Sequence, residues 1–271
     1  MMIVLMTNML EIFAILLFYF GIGFWCSHRS HKIAWVDFFW SSSFFVTTLL
    51  LSFSAYKVDR LALTEGPIPP WVGLALMFCI WSLRLSLHLF RRLWGASEDT
   101  RYIQLSLMWK QNWNRNVFLL YLFEALLSFA LSAPLFVVFG AKSQILSWPQ
   151  SLGFVLFLIG LAGESLSDYQ LLIFKRRNRG QKAVCDLGLW KYSRHPNYFF
   201  EIVIWISFAF YCTQLPWAWT AWFSPLLMGF LLVKVTGVAP SEKQALETRG
   251  NLYRRYQSRT SMLVPWPPKG E

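Results

Sequence analysis

The chain has 271 residues, 56% of them hydrophobic and only 14% charged, with a formal net charge of +11. Soluble domains carry about 25% charged residues, so this composition excludes one. Apolar runs long enough for a bilayer helix, roughly 17–25 residues, recur along the chain, which reads as an integral membrane protein.

Seven spans are predicted in chain order, at about 9–26, 34–56, 71–94, 116–140, 150–174, 198–214 and 217–236. All are expected to be helical, because lipid tolerates only helices or closed barrels and these runs lack a barrel's alternation. The first run has no basic n-region and no small-residue cleavage site, so it reads as a span and not a signal peptide. Most of the 25 Lys and Arg fall in the first, third and fifth loops and the tail; Lys57, Arg60 and Lys142 lie on the other side, and Arg84 and Lys234 within spans. That asymmetry places the N-terminus outside and the C-terminus in the cytoplasm. The fold class is therefore an all-α bundle of about seven transmembrane helices. No repeat or soluble appendage divides it, so 1–271 is read as one domain. Cys26, Cys79, Cys185 and Cys212 lack metal-ligand spacing and imply no disulfide framework. No Gly-x-Gly-x-x-Gly follows a strand and no P-loop occurs, so any nucleotide is bound without those devices.

Polar residues inside the spans carry the functional signal, since each is costly unless paired. Asp37 opens the second span, either as a partner for a cation such as Lys32 or Arg84 or as an acid near a lipid-soluble substrate. Arg84, His88 and Arg91 are spaced four and three apart on one stripe of the third span, with Arg84 facing an acid or a phosphate. Glu98-Asp99-Thr-Arg101-Tyr102 follows, as a solvated turn or as the cover of a cofactor. Glu11 and Glu124 read as helix-pairing or interfacial residues. Glu164 and Asp168 share a face of the fifth span, and the basic run Lys175, Arg176, Arg177, Arg179 comes just after. Acids that accept from hydroxyls, then cations that take phosphates, suit a nucleotide. The densest stretch is Gly188-Leu-Trp-Lys-Tyr-Ser-Arg-His-Pro-Asn-Tyr198, with Glu201 three residues on. Pro196 holds His195 extended and starts a helix there. That helix start offers free N–H groups to an anion.

These elements resemble the steroid 5-alpha-reductase superfamily, and more closely its bacterial DUF1295 branch. The tail, Glu242…Gly250-Asn-Leu-Tyr253-Arg-Arg-Tyr256…Thr260…Pro265-Trp-Pro, resembles that branch too, as do Arg84…Arg91 and the 98–102 segment. The likeness is densest over about 116–271. It implies a seven-helix bundle holding NADPH at its cytoplasmic side, beside an apolar cavity open to lipid. Glu164 and Asp168 would bind the nucleotide, and Lys175, Arg179, Arg84 and Arg91 would meet its phosphates. Tyr192, Arg194 and His195 would join the cofactor site, Asn197, Tyr198 and Glu201 would fix the nicotinamide end, and Tyr253 and Tyr256 would close the pocket. The superfamily's carbonyl donors are a second-span Glu and a third-span Tyr. Here the second span has no Gln-Glu pair and the third-span position falls nearest Trp81, so Asp37, His88 and Tyr102 are the candidate catalytic residues.

The expected activity is NADPH-dependent reduction of an activated C=C bond in a sterol-like or polyprenyl-like lipid, an oxidoreductase of CH–CH groups in a bacterial inner membrane. Expected partners are membrane lipids and a lipophilic small-molecule substrate, without nucleic acid. The alternative is an S-adenosylmethionine-dependent methyltransferase of the isoprenylcysteine carboxyl or phospholipid type, which also carries Arg-His-Pro-x-Tyr. A heme-binding scaffold is disfavoured because His28, His31, His88 and His195 offer no axial pair. A transporter is disfavoured by the lack of repeats and broken-helix pairs.

Overall fold

The computed structural model describes residues 2–58, 69–94, 98, 100–140 and 148–269, so Arg60, Asp99 and Lys142 lie outside it. Helices α1 (Met2–Ser30), α2 (Trp35–Val58), α3 (Pro70–Leu93), α4 (Thr100–Trp109), α5 (Trp113–Leu131) and α6 (Ala133–Phe139) come first. They are followed by α7 (Trp148–Arg177), α8 (Pro196–Tyr211), α9 (Ala218–Ala221), α10 (Phe223–Phe230), α11 (Val238–Arg249) and α12 (Asn251–Arg259). Among the described residues six segments are long and apolar enough to cross a membrane: Met9–Ser30, Trp35–Lys57, Pro70–Leu93, Tyr102–Leu131, Trp148–Arg177 and Ala218–Arg249. The chain is a multi-pass, all-helical membrane protein. The run expected at 198–214 is the 16-residue α8, whose length of about 24 Å falls short of the roughly 30 Å hydrocarbon core.

The helices form two compact units, one from 1–148 with 212–224, the other from 149–211 with 225–271. In the first, serines let α2 and α3 approach closely. Ser82 donates to the Ser41 carbonyl at 2.5 Å and accepts the Phe45 N–H at 3.1 Å, and the Ser41 and Ser86 hydroxyls meet at 3.0 Å. Trp81, Phe44 and Phe78 fill the same contact and are fully buried. Tyr121 of α5 packs its ring on Phe20 and Phe24 of α1 and Phe39 of α2, and its hydroxyl meets that of Ser27 at 2.6 Å. The expected continuous span 116–140 is broken, for Pro134 lacks an N–H and sits in the first turn of α6. Leu135 donates to Ser132 at 2.9 Å, and the Leu131 carbonyl instead accepts from the Ser224 hydroxyl at 3.0 Å.

In the second unit a glycine stripe brings α7 onto α8. A Cβ at Gly153 would stand 3.0 Å from the Ser207 carbonyl oxygen, one at Gly160 2.7 Å from the Ile204 side chain, and one at Gly163 2.4 Å from the Phe200 ring. The two backbones approach closely because no side chain intervenes. Overpacking such a contact costs about 1–3 kcal/mol per site. Gly163→Leu is therefore expected to lower the melting temperature in detergent by several degrees. Gly229→Ala, where nothing lies nearer than 4.0 Å, should leave it unchanged. The two melting curves decide the point.

Candidate functional site

The Gly188–Tyr198 segment is held at both ends. At its start α7 supplies the anchor: the Gln170 amide oxygen accepts the Leu189 N–H at 2.9 Å, and the Trp190 indole donates to the Ser167 carbonyl at 3.0 Å. Gly188 has φ +59° and a Cβ there would meet the Gln170 amide at 2.5 Å, so this turn favours glycine. Further on, the tail straps the segment down. The Arg194 N–H donates to Ser261 at 2.8 Å, the Ser193 hydroxyl to Leu263 at 2.7 Å, and the Trp266 N–H to Tyr192 at 3.0 Å. The Tyr256 phenol donates to the carbonyls of Trp190 (2.5 Å) and Ser193 (3.2 Å). Burial pushes that phenol well above its usual range, which keeps it a donor.

Glu242 of α11 is the hub. One carboxylate oxygen accepts from Arg194 Nε at 2.7 Å and lies 3.3 Å from His195 Nε2; the other accepts from the Gln257 amide at 2.9 Å. Arg194 Nη1 also donates to the carbonyls of Gln257 (2.9 Å) and Thr260 (3.0 Å). What carries Glu242 into place is a π turn over Leu231–Val235, closed by the Thr236 N–H on Leu231 at 2.8 Å. A Cβ at Gly237 would strike the Leu232 carbonyl oxygen at 2.3 Å, so glycine is required as the chain enters α11. The His195 ring stacks on that of Tyr198 at 5.4 Å, nearly parallel at 4°. Tyr253, also buried, lies 5.8 Å from Tyr256, ring to ring.

The geometry thus gathers Tyr192, Arg194, His195, Tyr198, Tyr253 and Tyr256 around one clamp, in which Arg194 and Tyr256 bond protein atoms. Asn197 differs from them. Its side-chain carbonyl oxygen is buried and has no hydrogen-bond partner among the described residues. Beside that stacking, the Tyr198 hydroxyl makes a long 3.4 Å contact with Ser241, and Glu201 accepts from the Trp205 indole at 2.9 Å. On α7, Glu164 is 5% exposed and Asp168 half-buried, while Lys175 and Arg179 stand in the open.

In the first unit the Tyr102 phenol donates to Asp37 Oδ1 at 2.5 Å, joining two of the three candidate catalytic residues. Glu98 fixes this arrangement: its carboxylate accepts the Ile33 and Ala34 N–H groups ahead of α2, the latter at 3.2 Å, and so ties the segment before α4 to the head of α2. Burial pushes the Glu98 carboxyl upward against the pull of those two donors. His88 and Arg91 lie on the exposed side of α3, and Arg84 is half-buried with its Nε and Nη2 out of solvent. Sequence reasoning assigned no role to Glu242, Gln170 or Gln257. Only the position of Glu242 at the head of the family-like tail marked it.

The family described as "Protein of unknown function (DUF1295)" matches residues 23–260. The chain belongs to the DUF1295 family. An uncharacterized protein of Schizosaccharomyces pombe is 25% identical, covering 86% of this chain and 83% of its own length. No solved structure matches this DUF1295 chain.

A shared carboxylate should make its partners interdependent. Arg194→Ala and Glu242→Ala are each expected to destabilise the protein, and the double variant by about 0.5–3 kcal/mol less than their sum. A double-mutant cycle by detergent denaturation measures that coupling; strict additivity would remove Glu242 from the clamp.

Proposed function

We propose that this protein is a membrane-embedded, NADPH-dependent reductase of an activated C=C bond in a sterol-like or polyprenyl-like lipid. The reading places it in the steroid 5-alpha-reductase superfamily, with seven spans, an outer N-terminus and a cytoplasmic C-terminus, in a bacterial inner membrane. Asn197 carries it. A buried amide oxygen without a partner costs roughly 1–3 kcal/mol, and a ligand N–H such as a carboxamide would remove that cost. A nicotinamide carries such a group. The residue types present fit the rest of the cofactor: Glu164 and Asp168 are acids of the kind that accept from hydroxyls, and Lys175 and Arg179 are exposed cations of the kind that meet phosphates. In this reading Arg194, His195 and Tyr256 hold the motif that presents Asn197 and Tyr198.

NADPH, when bound, would supply the hydride. The protein's own part is to polarise the substrate carbonyl so that the β-carbon accepts it. Asp37 and Tyr102 support this role as a hydrogen-bonded carboxyl and phenol, the two group types that can donate to a developing enolate oxygen.

Thermal shifts of the detergent-purified protein with NADPH, NADH and S-adenosylmethionine provide the test. Stabilisation by NADPH, lost in Asn197→Ala while the apo protein still melts cooperatively, is expected. A shift with S-adenosylmethionine alone would replace the reductase by a methyltransferase. Tyr102→Phe should lower turnover of an enone lipid by about 10²–10³ and leave the NADPH shift intact. Equal loss of both would make Tyr102 structural.

A further inference from the structure

Residues Val117, Tyr121, Glu124, Ser128 and Leu131 of α5 are spaced four, three, four and three apart and share one face. Four of the five are almost wholly buried. The opposite face, with Leu119, Leu122, Phe123 and Leu126, is exposed. Glu124 therefore points inward from an apolar span, on the face whose Tyr121 packs on α1 and α2, rather than lying at an interface. It makes no hydrogen bond or ion pair among the described residues, and it retains partial accessibility within an otherwise closed stripe.

Ser128, one turn on, is 1% exposed, and its hydroxyl has no hydrogen-bond partner among the described residues. Serines in helices commonly donate to the carbonyl four residues back. Here Ser132, Ser165 and Ser167 do so, at 2.8, 2.6 and 2.7 Å. Ser128, whose position four back is Glu124, does not. Two neighbouring polar groups are thus left open about 6 Å apart along the helix, where each unsatisfied group costs free energy.

We infer that Glu124 and Ser128 form a polar contact inside the membrane for a hydroxyl group on a lipophilic ligand. The carboxyl in its acid form, the form least costly in apolar surroundings, and the serine hydroxyl each both donate and accept. A ligand hydroxyl satisfies both capacities, whereas a ketone or ether oxygen only accepts. The inference rests on the reductase reading for its substrate class, and narrows it to a lipid with a hydroxyl distinct from the carbonyl that is polarised.

The test uses dicyclohexylcarbodiimide on the full chain in liposomes. The carboxyl proton passes to a carbodiimide nitrogen as the carboxylate oxygen bonds to the central carbon, and the O-acylurea rearranges to a stable N-acylurea that peptide mass spectrometry locates. Labelling at Glu124, absent from Glu124→Gln, is expected. Two probe pairs are then added: a sterol and its deoxy hydrocarbon, and a polyprenol and its hydrocarbon. At least one alcohol should slow labelling about fivefold, the weight of one hydrogen bond, while its hydrocarbon has little effect. Ser128→Ala should remove most of that protection and leave Glu124 labelled. No labelling, labelling that neither alcohol slows (a resident water in the place), or equal protection by alcohol and hydrocarbon overturns the inference. The NADPH shift is read on the same samples, so failure of the reductase reading shows as its loss and failure of the hydroxyl contact does not.

Discussion

Arg194 and His195 stand at the edge of a long apolar run, where a guanidinium without an anion would be expensive. One carboxylate makes that position tenable. Glu242 lies 48 residues from Arg194 in sequence, and in bonding it brings Gln257 along and sets α11 and α12 beside the motif. The strap of residues 261–266 then lies along Tyr192–Arg194, and α8 can start at Pro196 with Asn197 and Tyr198 in fixed positions. Without that anion the motif would be held only by hydrogen bonds to carbonyls and N–H groups, each worth about 1 kcal/mol.

The two carboxylates at the head of the first unit do different work. Glu98 satisfies N–H groups that the start of α2 leaves open, and by doing so it holds the segment that carries Tyr102. Asp37, within the first turn of the same helix, then meets Tyr102 at 2.5 Å.

Much of this was legible in the residues. Runs of apolar length gave the membrane class and the helices within the predicted spans but not α4, α11 or α12, and Pro196 marked the start of α8, because both signals are local and steric. The break at Pro134 was readable by the same rule, yet the apolar run over 116–140 concealed it. Among the site residues, Asp37 and Tyr102 could be named as candidates, but their bond could not, since it joins positions 65 apart. The same holds for Glu242: nothing around Ser241-Glu242-Lys243 differs from a solvated helix surface, and its meaning lies in Arg194. Glu124 shows the converse. Its place in an apolar span was plain, and the absence of a partner became visible only when its neighbours were placed. Sequence reports what a residue costs where it stands; distant bonds decide whether that cost is met.

The strap also orders events in time. The Gly188–Tyr198 segment takes its shape from residues 256–266, which leave the ribosome some 60 to 70 positions later. At roughly 5–20 residues per second, the motif emerges several seconds before the segment that fixes it. During that interval Arg194 and His195 are at the membrane surface with their anion still unmade. The helices on either side can insert first, as each satisfies its own backbone. The clamp is therefore the last part of the molecule to form, and the helices of a nascent chain can already be inserted while the Gly188–Tyr198 segment still lacks its fixed shape.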